Sequence, residues 1–297
     1  MQRLIVSFVS LGMMLAGLIA GADGDEKAVA LLKQARAALG GDSKLAKVQG
    51  FSASGALARE MGDRQVTGEL TIDVQLPDKM VRTDSMSPMG DATIVMLNGI
   101  NGDTLLRNSK TLNAGPGLMV RMPSPPAAGS DAETQALRAA RADLARFTVA
   151  FLLTSPASMP LEFTDGGEAE SPDGKADVVN VKGTGSFAAR LFFDKSSHRP
   201  LLISYQGIAP RMVMQTMRGG PAPDAAAAQR HADEAAAAHP PPQAVDIQMF
   251  LDDYRPVDGV MFPHHVTRSV DGKTTEEWTF KTIKLNPAFK ADAFSGK

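Results

Sequence analysis

The chain of 297 residues is 43% hydrophobic and 22% charged, with a formal net charge of −2, which excludes a disordered polyelectrolyte and allows a sizeable core. It contains no cysteine, so disulfides, thiolate metal sites, Cys nucleophiles and a lipid-modified N-terminal Cys are excluded together. Lys and Arg are scattered and aromatics make up 5% of residues, so neither a basic footprint nor a base-stacking platform for nucleic acid is visible.

The first segment is uncharged from Leu4 to Ala22 behind Arg3, and ends in Ala20-Gly21-Ala22. A small-x-small exit after an apolar run is the mark of a cleavable signal peptide, so residues 1–22 are expected to be removed and the mature protein to work in the periplasm. An uncleaved anchor is the alternative, since the run nearly spans a bilayer. From Asp25 to Leu39, Ala28, Leu31, Leu32, Ala35 and Leu39 recur at helical spacing and Gly40-Gly41 supplies a stop, which predicts a helix. The period then changes to two. Val66, Gly68, Leu70, Ile72, Val74 and Leu76 alternate with polar residues, as in an antiparallel strand with one wet face. Residues 47–59 are its expected hairpin partner across Met61-Gly62-Asp63. Further strands are expected at 79–85, 92–97 and 104–108, with turns at Asn98-Gly99 and Asn101-Gly102.

Residues 113–131 are rich in Gly and Pro and are expected to form a loop. A helix follows over 132–153, with Leu137, Ala140, Leu144, Phe147 and Phe151 on one stripe and Arg138, Arg141 and Arg146 largely away from it. Strands resume at 161–164, 177–182, 187–194 and 201–206, with turns at Asp173-Gly174 and over 195–199. Residues 219–243 are mostly Ala, Pro and Gly and are expected to be a low-complexity insertion, disordered or marginally helical. Three closing strands, 244–254, 260–269 and 274–285, are joined by Asp258-Gly259 and Asp271-Gly272, both strong hairpin signals. The expected fold class is therefore α+β with a large antiparallel sheet.

Sites of chemistry are hard to find. His264-His265 are neighbours on a strand and point to opposite faces, so they cannot bind one metal from the same side. Asp252 shares a face with Asp246 and Gln248, which suits a solvated surface. Gly166-Gly167 and Gly183-Thr184-Gly185 lack the strand–loop–helix setting and the Lys-Ser/Thr of a phosphate loop. No nucleophile elbow is present. No catalysis, cofactor or metal is expected.

Several stretches carry a family resemblance. Leu32-Lys33-Gln34-Ala35-Arg36-Ala37-Ala38-Leu39-Gly40-Gly41, Lys44-Leu45-Ala46-Lys47-Val48 and Ser52-Ala53-Ser54-Gly55 resemble the start of periplasmic proteins of the outer-membrane lipoprotein carrier and lipoprotein-sorting superfamily (LolA- and LolB-like). Tyr254-Arg255-Pro256-Val257-Asp258-Gly259-Val260-Met261-Phe262-Pro263-His264-His265-Val266 resembles its strand, Asp-Gly turn and Pro-His strand. Leu285-Asn286-Pro287 with Ala293-Phe294 resembles its closing residues. The resemblance implies one domain over 23–297, a curved antiparallel sheet forming an unclosed half-barrel, with helices covering the concave face. It implies an apolar ligand there, a lipid or the acyl chain of a lipoprotein. Unlike the membrane-anchored members, this chain has no Cys, and it carries the insertion at 219–243.

On that basis the inward faces of the alternating strands are the candidate cavity lining: Leu70, Ile72, Val74, Ile247, Met249, Leu251, Phe262, Trp278 and Phe280. Leu144, Phe147 and Phe151 are the candidate lid. The ligand would be held by burial, at about 25 cal/mol per Å² of apolar area removed from water. The expected partners are a lipid or acylated protein and, in addition, an envelope protein; a monomer is expected. A non-catalytic envelope interaction or scaffold module with no small ligand is the alternative.

Overall fold

A computed structural model describes residues 22–89, 92–113, 129–171, 174–208 and 244–296. The expected signal segment up to residue 21, most of the expected loop at 113–131 and the insertion at 219–243 lie outside these. The described chain begins with α1 (Ala22–Ala38) and a short α2 (Asp42–Leu45). Five strands follow: β1 (Gly50–Met61), β2 (Arg64–Gln75), β3 (Lys79–Met89), β4 (Ala92–Asn101) and β5 (Thr104–Leu112). After α3 (Asp131–Leu152) come β6 (Leu161–Ser171), β7 (Gly174–Gly183), β8 (Ala188–Asp194) and β9 (Pro200–Ile208). The last three are β10 (Ala244–Val257), β11 (Val260–Val270) and β12 (Lys273–Leu285).

All the strands form one 12-stranded sheet in the order β5-β4-β3-β2-β1-β12-β11-β10-β9-β8-β7-β6. Two antiparallel meanders are therefore joined side by side, with β1 against β12 at the seam. The sheet is not closed, because β5 and β6 end it without pairing to each other. It curves strongly all the same. The β2–β3, β4–β5 and β7–β8 connections, far apart in strand order, contribute Asp78, Gly102 and Thr184 to one cleft. The result is an unclosed half-barrel of α+β class.

The hairpins follow from local chemistry. Asp258-Gly259 and Asp271-Gly272 all have positive φ (50°, 79°, 47° and 78°), the conformation that lets a two-residue turn match the twist of its strands. Asn98-Gly99, by contrast, is not a turn but lies inside β4. Gly99 pairs with Val81, and a Cβ on it would stand 2.1 Å from the Met80 carbonyl oxygen. Glycine serves there for close backbone approach, and the chain reverses at Gly102 (φ 59°) instead.

α3 starts on Ser130, whose Oγ accepts from the Glu133 N–H at 3.1 Å, an N-cap of the usual kind. Its C-cap, Leu153, is left-handed at φ 50°. The Leu153 carbonyl is gripped from α1: Arg36 Nε and Nη2 donate to it at 2.9 and 2.6 Å. This ties the two helices end to side. Arg36→Ala should free the last turn of α3, costing about 1.5–3 kcal/mol for charge-assisted bonds. Amide hydrogen exchange at Val149–Leu152 should speed up accordingly, while α1 exchange changes little.

Candidate functional site

The concave face is set by period-two alternation. In register, Val74, Ile72 and Leu70 of β2 stand beside Phe51, Ala53 and Gly55 of β1. Trp278 of β12 stands between Leu57 of β1 and Val266 of β11. All the candidate lining and lid side chains are buried in the structure, the most exposed being Phe147 at 9%. All but Ile247 belong to one continuous core. Ile247 is buried apart from it, over Gly207, where an added Cβ would lie 2.5 Å from its Cδ1.

α3 is the main helical cover of this face. Its 22 residues make a rod of about 33 Å, and aromatic contacts hold it down. Phe151 meets Phe51 edge-on at 5.7 Å and lies tilted against Phe262 at 5.2 Å, and Phe147 stacks on Trp278 at 6.0 Å. At its flanks α3 is held by polar groups. Arg141 pairs with Asp103 on the β4–β5 turn. Arg146, expected to face away from the apolar stripe, instead lies with its guanidinium 3.9 Å from the Tyr205 ring and 5.6 Å from that of Phe187. Its aliphatic stem and cation cover apolar surface. Burial, with the charge of Asp143 alongside, pushes the Tyr205 phenol above its ordinary value.

The same face carries a charged cluster that the hydrophobic pattern concealed. Arg59 of β1, Arg82 and Asp84 of β3, Arg268 of β11 and Glu276 of β12 sit in phase with the inward apolar positions. Arg59 contacts Asp84 at 2.5 Å and Glu276 at 3.0 Å, and Arg82 contacts both carboxylates at 2.8 Å. Arg268 approaches Glu276 at 3.8 Å. The Trp278 indole N–H donates to Glu276 Oε2 at 2.9 Å, and the Arg82 guanidinium lies 4.8 Å from the Trp278 ring. Burial alone would raise the Glu276 pKa. The charges of Arg82, Arg59 and Arg268 outweigh it and hold the carboxyl at about 2. The available signal was a charge two residues from an inward apolar one, as in Leu57-x-Arg59 and Glu276-x-Trp278.

Two clefts open at the surface. One, of about 230 Å³, lies beside α3 and is lined by Asp78, Asp103, Arg141, Leu144, Ser158 and Thr184 among others. The candidate lid residue Leu144 is among the residues that line this first cleft. The other, of about 270 Å³, lies under the C-terminal tail between Ser52, Asp73, Lys284 and Phe289. Both are smaller than the roughly 300–1,000 Å³ of a small-molecule site. Among the described residues no group of His, Cys, Asp and Glu is arranged to hold a metal, and no helix is long and apolar enough to cross a membrane. His264 is buried, its Nδ1 3.0 Å from the Phe262 carbonyl oxygen.

No protein-family model matches the chain, and no curated protein matches it. Among solved structures, a LolA superfamily protein from Nitrosomonas europaea is similar at 11% identity and TM-score 0.47, covering 90% of this chain and 96% of that one. A DUF1329 family protein from Desulfovibrio piger is similar at 9% identity and TM-score 0.43, with 90% and 96% covered. A putative outer membrane lipoprotein-sorting protein domain from Vibrio parahaemolyticus is similar at 9% identity and TM-score 0.42, with 91% and 97% covered.

Proposed function

We propose that the protein is a periplasmic carrier of apolar ligands, taking a lipid or the acyl chain of a lipoprotein into the concave face beneath α3. One observation carries this reading. A largely apolar sheet face, interrupted by one charged cluster, is covered by helices, chiefly α3, held by apolar side chains and a few polar ties at its edges, not by a second sheet. Such a cover can lift without breaking strand pairing. The chain motifs that resemble lipoprotein carriers point the same way.

Since the side chains under α3 now fill the space between them, loading would require the helix to move and the ligand to replace its aromatic contacts. The role needs no catalytic group. The driving force is apolar burial, regained by the helix itself when the ligand leaves.

The tight packing of the same face also favours a second reading, an envelope interaction module with no small ligand. Native mass spectrometry of protein purified from the periplasm, followed by solvent extraction, separates the two. A co-purifying lipid or acylated protein is the expected result. An empty protein that also fails to bind a fluorescent fatty acid would overturn the carrier reading in favour of the module.

A further inference from the structure

The charged cluster on the concave face has an excess of cation. Among the described residues, the guanidiniums of Arg59, Arg82 and Arg268 meet only two carboxylates, Asp84 and Glu276. A cluster with a purely structural task is least costly when its charges balance, because each buried ion carries a desolvation penalty. The imbalance also has a direction. The side chains of Asp84 and Glu276 are 6% and 7% exposed, those of Arg82 and Arg268 18% and 16%. What the cluster leaves exposed is therefore mainly arginine side chain, not carboxylate. Arg268 has the longest ion-pair contact of the set and also meets the Tyr205 hydroxyl, while Glu276, its carboxylate partner, already receives Arg59, Arg82 and the Trp278 indole.

The walls around the cluster are apolar and adaptable. Met249 pairs with Arg268 across β10 and β11, Met96 pairs with Asp84 across β3 and β4, and the Met86 sulfur lies 3.6 Å from Arg59 Nη1. Thioether side chains reshape around irregular alkyl groups. A cationic patch set among methionines, on the same face as the aromatic cluster under α3, suits a molecule that is charged at one end and apolar along the rest.

We propose that the ligand is an anionic amphiphile, with its carboxylate or phosphate head against Arg268 and Arg82 and its alkyl chain running towards Trp278 and α3. This rests on the carrier reading above and narrows it, since an uncharged acyl chain would leave the guanidinium excess unanswered.

Titrating the purified protein with palmitate and with hexadecanol, at a pH where the acid is ionised, tests it. Palmitate should bind about tenfold more tightly or better, the margin expected of charge-assisted bonds. Arg268→Met should bring palmitate down to the hexadecanol value, and Arg268→Lys should restore part of the difference. Hexadecyl phosphate should behave as palmitate does. Equal binding of palmitate and hexadecanol by the unaltered protein would overturn the head-group proposal and leave the carrier reading standing, and that comparison needs no variant to fold. A preference that survives in Arg268→Met would also overturn it. Binding of neither compound would overturn both readings. Inorganic phosphate alone matching hexadecyl phosphate would reduce the site to one for free anions.

Discussion

Glu276→Gln should destabilise the protein by about 3–5 kcal/mol at neutral pH, the cost of removing one partner from a buried ionic cluster. The variant keeps the size of the side chain and an oxygen for the Trp278 indole, so the loss reports charge. Without Glu276, Arg59 and Arg82 keep Asp84, and Arg268 loses its carboxylate partner among the described residues. The same residue predicts an acid dependence. Its folded pKa of about 2 lies below the ordinary 4.5, so its contribution is complete above pH 4.5 and is lost as the pH falls towards 2. From the size of that shift the contribution is about 3 kcal/mol. Urea denaturation at a series of pH values should show stability falling steeply over this interval in the natural protein and less in Glu276→Gln. A loss below about 1 kcal/mol at pH 7 would mean the cluster has the weak coupling typical of surface pairs.

Fastening α3 to the sheet should abolish loading. The absence of cysteine makes a double variant, Asp103→Cys with Arg141→Cys, uniquely reactive towards a short bismaleimide. These residues form an ion pair between the β4–β5 turn and α3, with side chains 90% and 35% exposed, so losing the pair costs little. With a linker that contains a reducible bond, uptake of a fluorescent fatty acid should fall by about tenfold or more when the bridge is intact, because the loading-competent state is then depopulated. Reduction should restore it. Unchanged uptake by the bridged protein would show that ligands enter without displacement of this part of the helix.

Much of the sheet could be read from the residues, because its hairpins are local. Asp258-Gly259 and Asp271-Gly272 announce their own turn type, and alternation in β2, β10 and β12 marks which side chains turn inward. The Asn98-Gly99 error has a physical origin: glycine permits both a reversal and a close approach of two strands, and only the neighbouring strand shows which. The charged cluster was out of reach for another reason. Arg59 and Glu276 are 217 residues apart, and their meeting depends on β1 pairing with β12, which no local pattern encodes. Arg146 shows the same limit on α3, since the Tyr205 ring that it covers lies on β9.

The seam between β1 and β12 also sets the order of events during folding. The strand that completes the sheet is the last of its twelve in chain order, and until it pairs β1 and β11 each offer an unsatisfied edge at the centre of the future structure. Two half-sheets must then wait, exposed to pairing with other chains, and such long-range closure is slow. A chain cut short before Lys273 should therefore aggregate rather than fold as a smaller version of the whole, and refolding of the complete protein should become less efficient as its concentration rises.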